Sequence, residues 1–158
     1  MTHVLILCTG NSARSIMAEG ALNALGGGRF TAYSAGSKPT GAPNPFALAQ
    51  LRAEGIDPGF ARSKSWDEFA VEGAPALDLV ITVCDSAAAE ECPYWPGAPK
   101  RAHWGLPDPA AVSGSDAEKA AAFADAYGVI ARRMAALVAL DPAAADYDAQ
   151  LKAIGALQ

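Results

Sequence analysis

The pattern of apolar and polar positions along the chain predicts strands that alternate with helices. An apolar run of strand length, His3 to Leu7, ends in a polar, glycine-containing stretch, and apolar residues then recur at helical spacing. The predicted strands are 3–7, 29–35, 77–83 and 101–104, and the predicted helices are 15–25, 44–54 and 116–140. This alternation favours an α/β fold, with a parallel sheet, right-handed crossovers and helices on both faces.

Composition narrows the class of protein. The 158 residues show no internal change in composition, so we expect a single domain over 1–158. Twelve Lys and Arg stand against seventeen Asp and Glu, which disfavours a nucleic-acid surface. The first apolar run is too short for a signal peptide or a membrane span, and three cysteines are an odd number. We therefore expect reduced thiols and a cytoplasmic protein with no nucleic-acid or membrane partner.

Three reactive residues follow the carboxyl ends of predicted strands. Cys8 and Cys84 come directly after strands, and Asp108 follows the last strand after a short loop. Ligands of open parallel sheets bind outside the carboxyl ends of the strands. We therefore expect these residues to share one rim of the sheet.

The first of these residues, Cys8, begins a Cys-x5-Arg loop between a strand and a helix, which we call the oxyanion loop. Successive backbone N–H groups and the helix N-terminus favour a tetrahedral oxyanion there, and Arg14 can bind two of its oxygens. The same groups predict a lowered pKa for Cys8, which makes it a nucleophile. The predicted oxyanion-binding residues are Thr9, Gly10, Asn11, Ser12, Ala13, Arg14 and Ser15. A buried structural cysteine would not need the arginine, and the spacing of a nucleotide-binding P-loop is missing.

Cys84 and Cys92 distinguish reduction from simple phosphate transfer, because a phosphatase has no use for further thiols. The residues between them are strongly helical, which would separate the two Cα atoms by roughly 12 Å. A disulfide needs less than about 7 Å, so oxidation should unwind this segment. Two alternatives remain: an apolar strand-end cysteine with an incidental loop thiol, and zinc binding with His103, whose spacing fits no common site.

Asp108 lies between two prolines in a stiff segment. Its carboxyl group could protonate an oxygen that leaves the bound oxyanion. The alternative is an ordinary turn aspartate.

These residues resemble the arsenate reductases built on the low-molecular-weight tyrosine phosphatase fold. The resemblance runs through 4–15, 34–36, 83–85 with 92–93, and 103–105 with 108–109. It implies a three-layer sandwich with a four-stranded parallel sheet.

The resemblance also implies a relay of three cysteines. Cys8 attacks arsenic while Asp108 assists the departure of an oxygen, Cys84 attacks Cys8 and expels arsenite, and Cys92 then attacks Cys84. A thioredoxin-like partner reduces the final disulfide, whereas related enzymes use glutathione or mycothiol with glutaredoxin-type partners. Cys84 and Cys92 lie one residue further apart than in the familiar pattern. No tightly bound cofactor is implied, and we expect a monomer.

Some relatives bind potassium near the oxyanion loop, and the matching positions here are Asn11, Glu19, Ser34 and Asp67. The alternative for these residues is helix capping and ordinary polar surface.

Two rival functions remain at this level. A low-molecular-weight tyrosine phosphatase would use Cys8, Arg14 and Asp108 in the same way, but such enzymes typically carry aromatic residues after the Asp-Pro pair, where this chain has Ala110 and Ala111. Weak phosphatase activity on small aryl phosphates is expected as a side reaction. A non-catalytic sensor of trivalent arsenic would bind through three thiolates, but Arg14 would repel a cation from Cys8.

Overall fold

The computed structural model describes residues 1–85, 87, 95 and 97–158, and the sheet within these residues has four parallel strands. The strands are β1 (Thr2–Leu7), β2 (Phe30–Ala35), β3 (Leu79–Thr82) and β4 (Lys100–His103). They lie in the order β2-β1-β3-β4. The predicted parallel α/β fold is therefore confirmed, with strand boundaries that differ from the predicted ones by one or two residues.

The helices are α1 (Arg14–Leu25), α2 (Pro45–Ala53), α3 (Asp116–Val138) and α4 (Tyr147–Ile154). Asn44 caps α2 by accepting a hydrogen bond from the Phe46 N–H group, and Ser115 forms a capping box with Glu118 at the start of α3. The sequence pattern did not predict α4, which is a short helix. No helix in the described ranges is both long enough and apolar enough to cross a membrane.

Alternate residues of β1 point into two separate apolar clusters. Val4 and Ile6 belong to the larger cluster, which contains buried apolar side chains from all four helices. Leu5 and Leu7 point to the opposite face, where the described residues that cover them include Trp66, Phe69, Leu77 and Trp95. Trp66 and Phe69 belong to a short 3-10 helix, Trp66–Phe69.

The register of the strands aligns their carboxyl ends. Leu7 pairs with Ala35 on one side and with Thr82 on the other, and Thr82 pairs with His103. The loops after all four strands therefore begin in one row, as predicted for the rim.

The loop after β4 is anchored before it reaches the rim. The Trp104 indole donates to the Leu151 carbonyl at 2.8 Å, and the buried Arg133 side chain donates to the carbonyls of Trp104 and Gly105. These contacts fix the position from which the loop extends to Asp108.

Candidate active site

The loop between β1 and α1 has its carbonyl oxygens tied away from the site. Three of these oxygens accept hydrogen bonds from backbone N–H groups of the segment after β2, in the pairs Thr9 with Lys38, Gly10 with Thr40, and Ser12 with Asn44, at 3.0, 3.0 and 2.8 Å. The C=O and N–H of a trans peptide unit point in opposite directions, so the N–H groups of these units face the other side. Cys8 and Arg14 line a cavity of about 290 Å³ at this loop.

Asn11 holds the conformation of this loop from behind. Its φ of 44° is left-handed, a conformation that asparagine tolerates better than most residues. Its buried side chain donates to the Ser15 hydroxyl at 2.8 Å and to the Ser34 hydroxyl at 3.0 Å, and it accepts the Lys64 backbone N–H at 2.9 Å. Asn11 and Ser15 therefore support the loop, whereas Cys8, Thr9, Gly10, Ser12, Ala13 and Arg14 line the cavity.

Gly36, directly after β2, lets that strand lie against the loop. A Cβ atom at this position would lie 2.4 Å from the Thr9 carbonyl oxygen and 2.7 Å from that of Cys8. No side chain fits there without moving the loop backbone.

Arg14 is the first residue of α1, and its guanidinium group lies at the cavity. Nη1 donates to the Leu106 carbonyl at 2.9 Å, which orients the group. Nε is buried and has no hydrogen-bond partner among the described residues. A buried N–H of this kind is costly unless an acceptor meets it, so the arginine suits a bound oxyanion.

Asp108 faces the same cavity from the loop after β4. One carboxylate oxygen accepts the Ala110 N–H at 2.9 Å and caps the 3-10 helix Pro109–Ala111. The other lies 3.7 Å from Nη2 of Arg14. The capping bond fixes the orientation of the carboxyl group, and the second oxygen is left beside the oxyanion site.

Cys84 reaches the same cavity from the end of β3, so the structure brings two of the predicted cysteines together. Both thiols are buried, and both line this cavity. The Thr9 N–H also donates to the Cys84 sulfur at 3.3 Å, and the Thr9 hydroxyl lies 3.5 Å from it. Cys92 lies outside the described residues, as does most of the predicted helix between the two cysteines.

The two thiols in this cavity shift each other's pKa in opposite directions. The hydrogen bond from Cys8, assisted by Thr9, lowers the pKa of Cys84 to about 5. The hydrogen bond to Cys84 and burial raise the pKa of Cys8, although Arg14 and the Gly10 N–H act in the opposite direction. The prediction of a lowered Cys8 pKa from the loop alone is therefore wrong for this state, because two adjacent sulfurs do not both readily carry a charge.

His103 and Asp85 form a polar pair beside Cys84. The Nε2 atom of His103 lies 2.8 Å from the Asp85 carboxylate, and its Nδ1 atom lies 2.7 Å from the Thr82 hydroxyl. Both side chains line a second cavity at the rim, which Arg14 and Asp108 also border. The pair ties the residue after Cys84 to β4.

Three of the four residues predicted for a potassium site lie together behind the loop, where Ser34 contacts Asn11 and donates a hydrogen bond to Glu19. Asp67 is not among them, since its side chain is exposed and its backbone N–H bonds to Ser65. The Lys64 ammonium group lies there instead, 3.8 Å from the Glu19 carboxylate. Burial raises the pKa of Glu19 and lowers that of Lys64.

The sequence reasoning missed Lys64 and Thr40 and gave Gly36 no role. Thr40 lines the cavity of the loop. Gly36 had a usable signal, because it directly follows a predicted strand and so lies at the predicted rim. Lys64 and Thr40 lie in irregular segments without a motif.

Comparisons with known proteins agree with this arrangement. The family described as low molecular weight phosphotyrosine protein phosphatase matches residues 3–151. The arsenate reductase of Halalkalibacterium halodurans is 40% identical over 131 residues, which cover 83% of this chain and 91% of that relative.

Solved structures agree as well. An arsenate reductase in the phosphate binding state has a TM-score of 0.70 and 28% identity, over 88% of this chain and 98% of that one. A thioredoxin-dependent arsenate reductase of Corynebacterium glutamicum has a TM-score of 0.59 and 26% identity, over 82% of this chain and 58% of that one. The chain therefore belongs to the low molecular weight phosphotyrosine protein phosphatase family, in which it is similar to the arsenate reductases.

Proposed function

We propose that the protein reduces arsenate to arsenite. The observation that carries this proposal is that Cys8 and Cys84 line one cavity together with Arg14 and Asp108. Hydrolysis of a phosphate ester needs a single nucleophilic thiol. A second thiol in the same cavity, with its pKa lowered to about 5, is suited to form a disulfide with the first.

The first step joins arsenic to Cys8. The loop N–H groups and Arg14 hold the arsenate ion, and the Cys8 sulfur attacks arsenic as its proton passes to an arsenate oxygen. Asp108 relays this proton to the oxygen opposite the sulfur, which then leaves as water. Because the Cys8 proton leaves in that water, Cys84 keeps its thiolate for the next step.

The second step transfers two electrons to arsenic, and the third step transfers the disulfide from Cys8 and Cys84 to Cys84 and Cys92. The Cys84 thiolate attacks the Cys8 sulfur, the sulfur–arsenic bond breaks, and its electron pair leaves with arsenic as arsenite, which takes up protons from water. The Cys92 thiolate then attacks Cys84, which releases Cys8 as a thiolate and leaves a disulfide between Cys84 and Cys92. An external dithiol restores the starting state.

A thioredoxin-type protein is the reductant that we propose for this disulfide. The support is the similarity to the thioredoxin-dependent enzyme of Corynebacterium glutamicum. A glutathione or mycothiol donor with a glutaredoxin-type partner is the alternative, and turnover assays with each donor distinguish them. The arsenate ion and this reductant are the proposed partners of a monomeric enzyme.

A donor-free assay tests the relay. The fully reduced protein is mixed with arsenate, after which free thiols and released arsenite are counted. We expect a loss of about two thiols and the release of about one arsenite per chain, with Cys84 and Cys92 paired on mass-spectrometric mapping. Arsenate that leaves every thiol free would refute the proposal.

Single substitutions place each cysteine in the sequence of steps. Cys8→Ser and Cys84→Ser should release no arsenite. Cys92→Ser should release about one arsenite, end with a disulfide between Cys8 and Cys84, and fail in repeated turnover with thioredoxin. If Cys92→Ser turns over normally with glutaredoxin and glutathione, the assignment of the electron donor is wrong, whereas the assignment of Cys8 as the nucleophile is unaffected.

A weak phosphatase activity is the second candidate, because Cys8, Arg14 and Asp108 surround one cavity in a member of a phosphatase family. Hydrolysis of p-nitrophenyl phosphate by the Cys92→Ser protein, and its loss in Cys8→Ser, would establish it. A non-catalytic sensor of trivalent arsenic would lose no thiol and release no arsenite in the donor-free assay.

A further inference from the structure

Lys64 places a buried positive charge behind the oxyanion loop. Its side chain is 8% exposed, and the ammonium group lies 3.8 Å from the Glu19 carboxylate, 3.5 Å from the Ser34 hydroxyl and 3.1 Å from the Arg62 carbonyl oxygen. These three oxygens come from α1, β2 and the segment before the 3-10 helix Trp66–Phe69. A carboxylate, a hydroxyl and a carbonyl are also the oxygen ligands that hard cations take.

The residues around Lys64 do not fit an additional potassium ion. The Asn11 side-chain oxygen already accepts the Lys64 backbone N–H, and its amide nitrogen points to Ser34. The Ser34 hydroxyl donates to Glu19. The Lys64 ammonium group is therefore the positive partner of the Glu19 carboxylate, and it would repel a second cation.

We propose that Lys64 is a tethered cation that takes the place of a bound monovalent ion and positions the oxyanion loop without one. Its ammonium group balances Glu19, and its backbone N–H holds Asn11 in the left-handed conformation on which the loop depends. The inference rests on the proposed function only where it assumes that the loop binds arsenate. The charge balance behind the loop can be tested by thermal unfolding, whether or not arsenate is reduced.

Removal of the ammonium group should create a cation requirement. Lys64→Ala removes the positive partner of the buried Glu19 carboxylate and opens space beside it, so we expect the Tm of the variant to fall by roughly 10 °C in choline chloride. Potassium chloride at the same ionic strength should restore several degrees of that loss. The wild type should have the same Tm in both salts.

Three further variants separate a specific cation effect from a general one. Lys64→Ala combined with Glu19→Gln should lose the response to potassium, because the carboxylate that attracts the ion is gone. Lys64→Met should remain unresponsive, because its side chain fills the space. Lys152→Ala removes an exposed lysine and should behave as the wild type in both salts.

The loop itself supplies a second measurement. Protection of Cys8 from iodoacetamide by inorganic phosphate should weaken at least tenfold in Lys64→Ala and recover in potassium chloride. If Lys64→Ala does not fold, the salt independence of the wild type and the weaker phosphate protection of Lys64→Met still test the proposal. A potassium-specific rise in the Tm of the wild type would overturn it, as would equal responses of Lys64→Ala to potassium and choline.

Discussion

At the scale of single residues, the chemistry depends on which of two sulfurs carries the negative charge. Cys8 lies where the loop, Arg14 and the start of α1 favour an anion, yet the hydrogen bond to Cys84 raises the pKa of Cys8. The charge therefore lies on Cys84, whose pKa falls to about 5. A pair that holds one proton and one thiolate suits the two successive sulfur reactions that we propose.

Cys84→Ala should lower the pKa of Cys8, because the hydrogen bond that raises it most is removed while Arg14 and the Gly10 N–H remain. The measurement is thiolate absorbance at 240 nm against pH, in a Cys92→Ser background that removes the third thiol. The matched Cys92→Ser single variant should show about one thiolate at pH 7 and a second that ionises only at a much higher pH. If the pKa of Cys8 is the same in Cys84→Ala, Cys84 does not raise it, and the prediction is wrong.

Release of arsenite in a single turnover should depend on pH through Cys84. The attacking form is the thiolate, so the rate should be nearly constant above pH 6 and fall as the pH drops through the Cys84 pKa of about 5. Rapid-quench measurements of arsenite from pH 4 to pH 8 check this. A decline that begins near pH 8 would show that Cys84 has an ordinary thiol pKa.

Gly36→Ala should damage the site through backbone contact alone. The added Cβ would lie 2.4 Å from the Thr9 carbonyl oxygen, so we expect a loss of about 2–3 kcal/mol in the free energy of unfolding. Phosphate protection of Cys8 should also weaken. Gly128→Ala in α3 is the matched control, because its Cβ would make only an ordinary contact with Arg132, and it should raise stability by about 0.5–1 kcal/mol. A Gly36→Ala protein as stable as the wild type would show that the loop can move aside.

At the scale of secondary-structure elements, the oxyanion loop is shaped by segments distant from it in the chain. The segment between β2 and α2 binds the loop carbonyls, and the last of these bonds joins Asn44 N–H to Ser12 O at 2.8 Å. Asn44 also caps α2 with its side chain. The start of α2 is therefore both a helix boundary and a support of the site.

Asn44→Ala separates these two roles. The variant loses the side-chain cap, so the free energy of unfolding should fall by about 1 kcal/mol, whereas the backbone bond to Ser12 and the arsenite yield of a single turnover should persist. Urea unfolding and the donor-free assay measure the two effects. Asn44→Ser, which keeps a capping oxygen, should recover most of the stability. A large loss of arsenite release in Asn44→Ala would show that the cap itself supports the site.

At the scale of the whole molecule, the segment that carries Cys92 is anchored at both ends. Asp85 is held by His103 near its start. At its end, the buried Trp95 donates to the Trp66 carbonyl and lies under the Arg101 guanidinium group. β4 and the 3-10 helix Trp66–Phe69 thus supply fixed points on both sides of the segment, and we expect any movement of Cys92 toward Cys84 to take place between them.

Oxidation by one equivalent of arsenate should increase hydrogen exchange between residues 85 and 93. The sequence predicts a helical span of roughly 12 Å between Cys84 and Cys92. This span has to shorten to less than about 7 Å before the two cysteines can bond, which would break backbone hydrogen bonds. Exchange detected by mass spectrometry should rise there and remain unchanged in α3. Cys92→Ser, which stops at the disulfide between Cys8 and Cys84, should show no rise. Equal exchange in the reduced and oxidised wild type would mean that the thiols are already close.

The sequence by itself determined the strand and helix order up to α3, the rim with Cys8, Cys84 and Asp108, and the Cys-x5-Arg loop. The order of elements follows from local periodicity. The rim follows because the carboxyl ends of parallel strands lie at one edge of the sheet, so residues that come shortly after them lie together. Only the tertiary structure decided that Thr9 and Cys84, 75 positions apart, bond to each other. It also decided that Gly36 fits under the loop and that Lys64 balances Glu19. Such pairs depend on distances between separate elements. Those distances determine the pKa of Cys8 and the charge balance between Lys64 and Glu19 behind the loop.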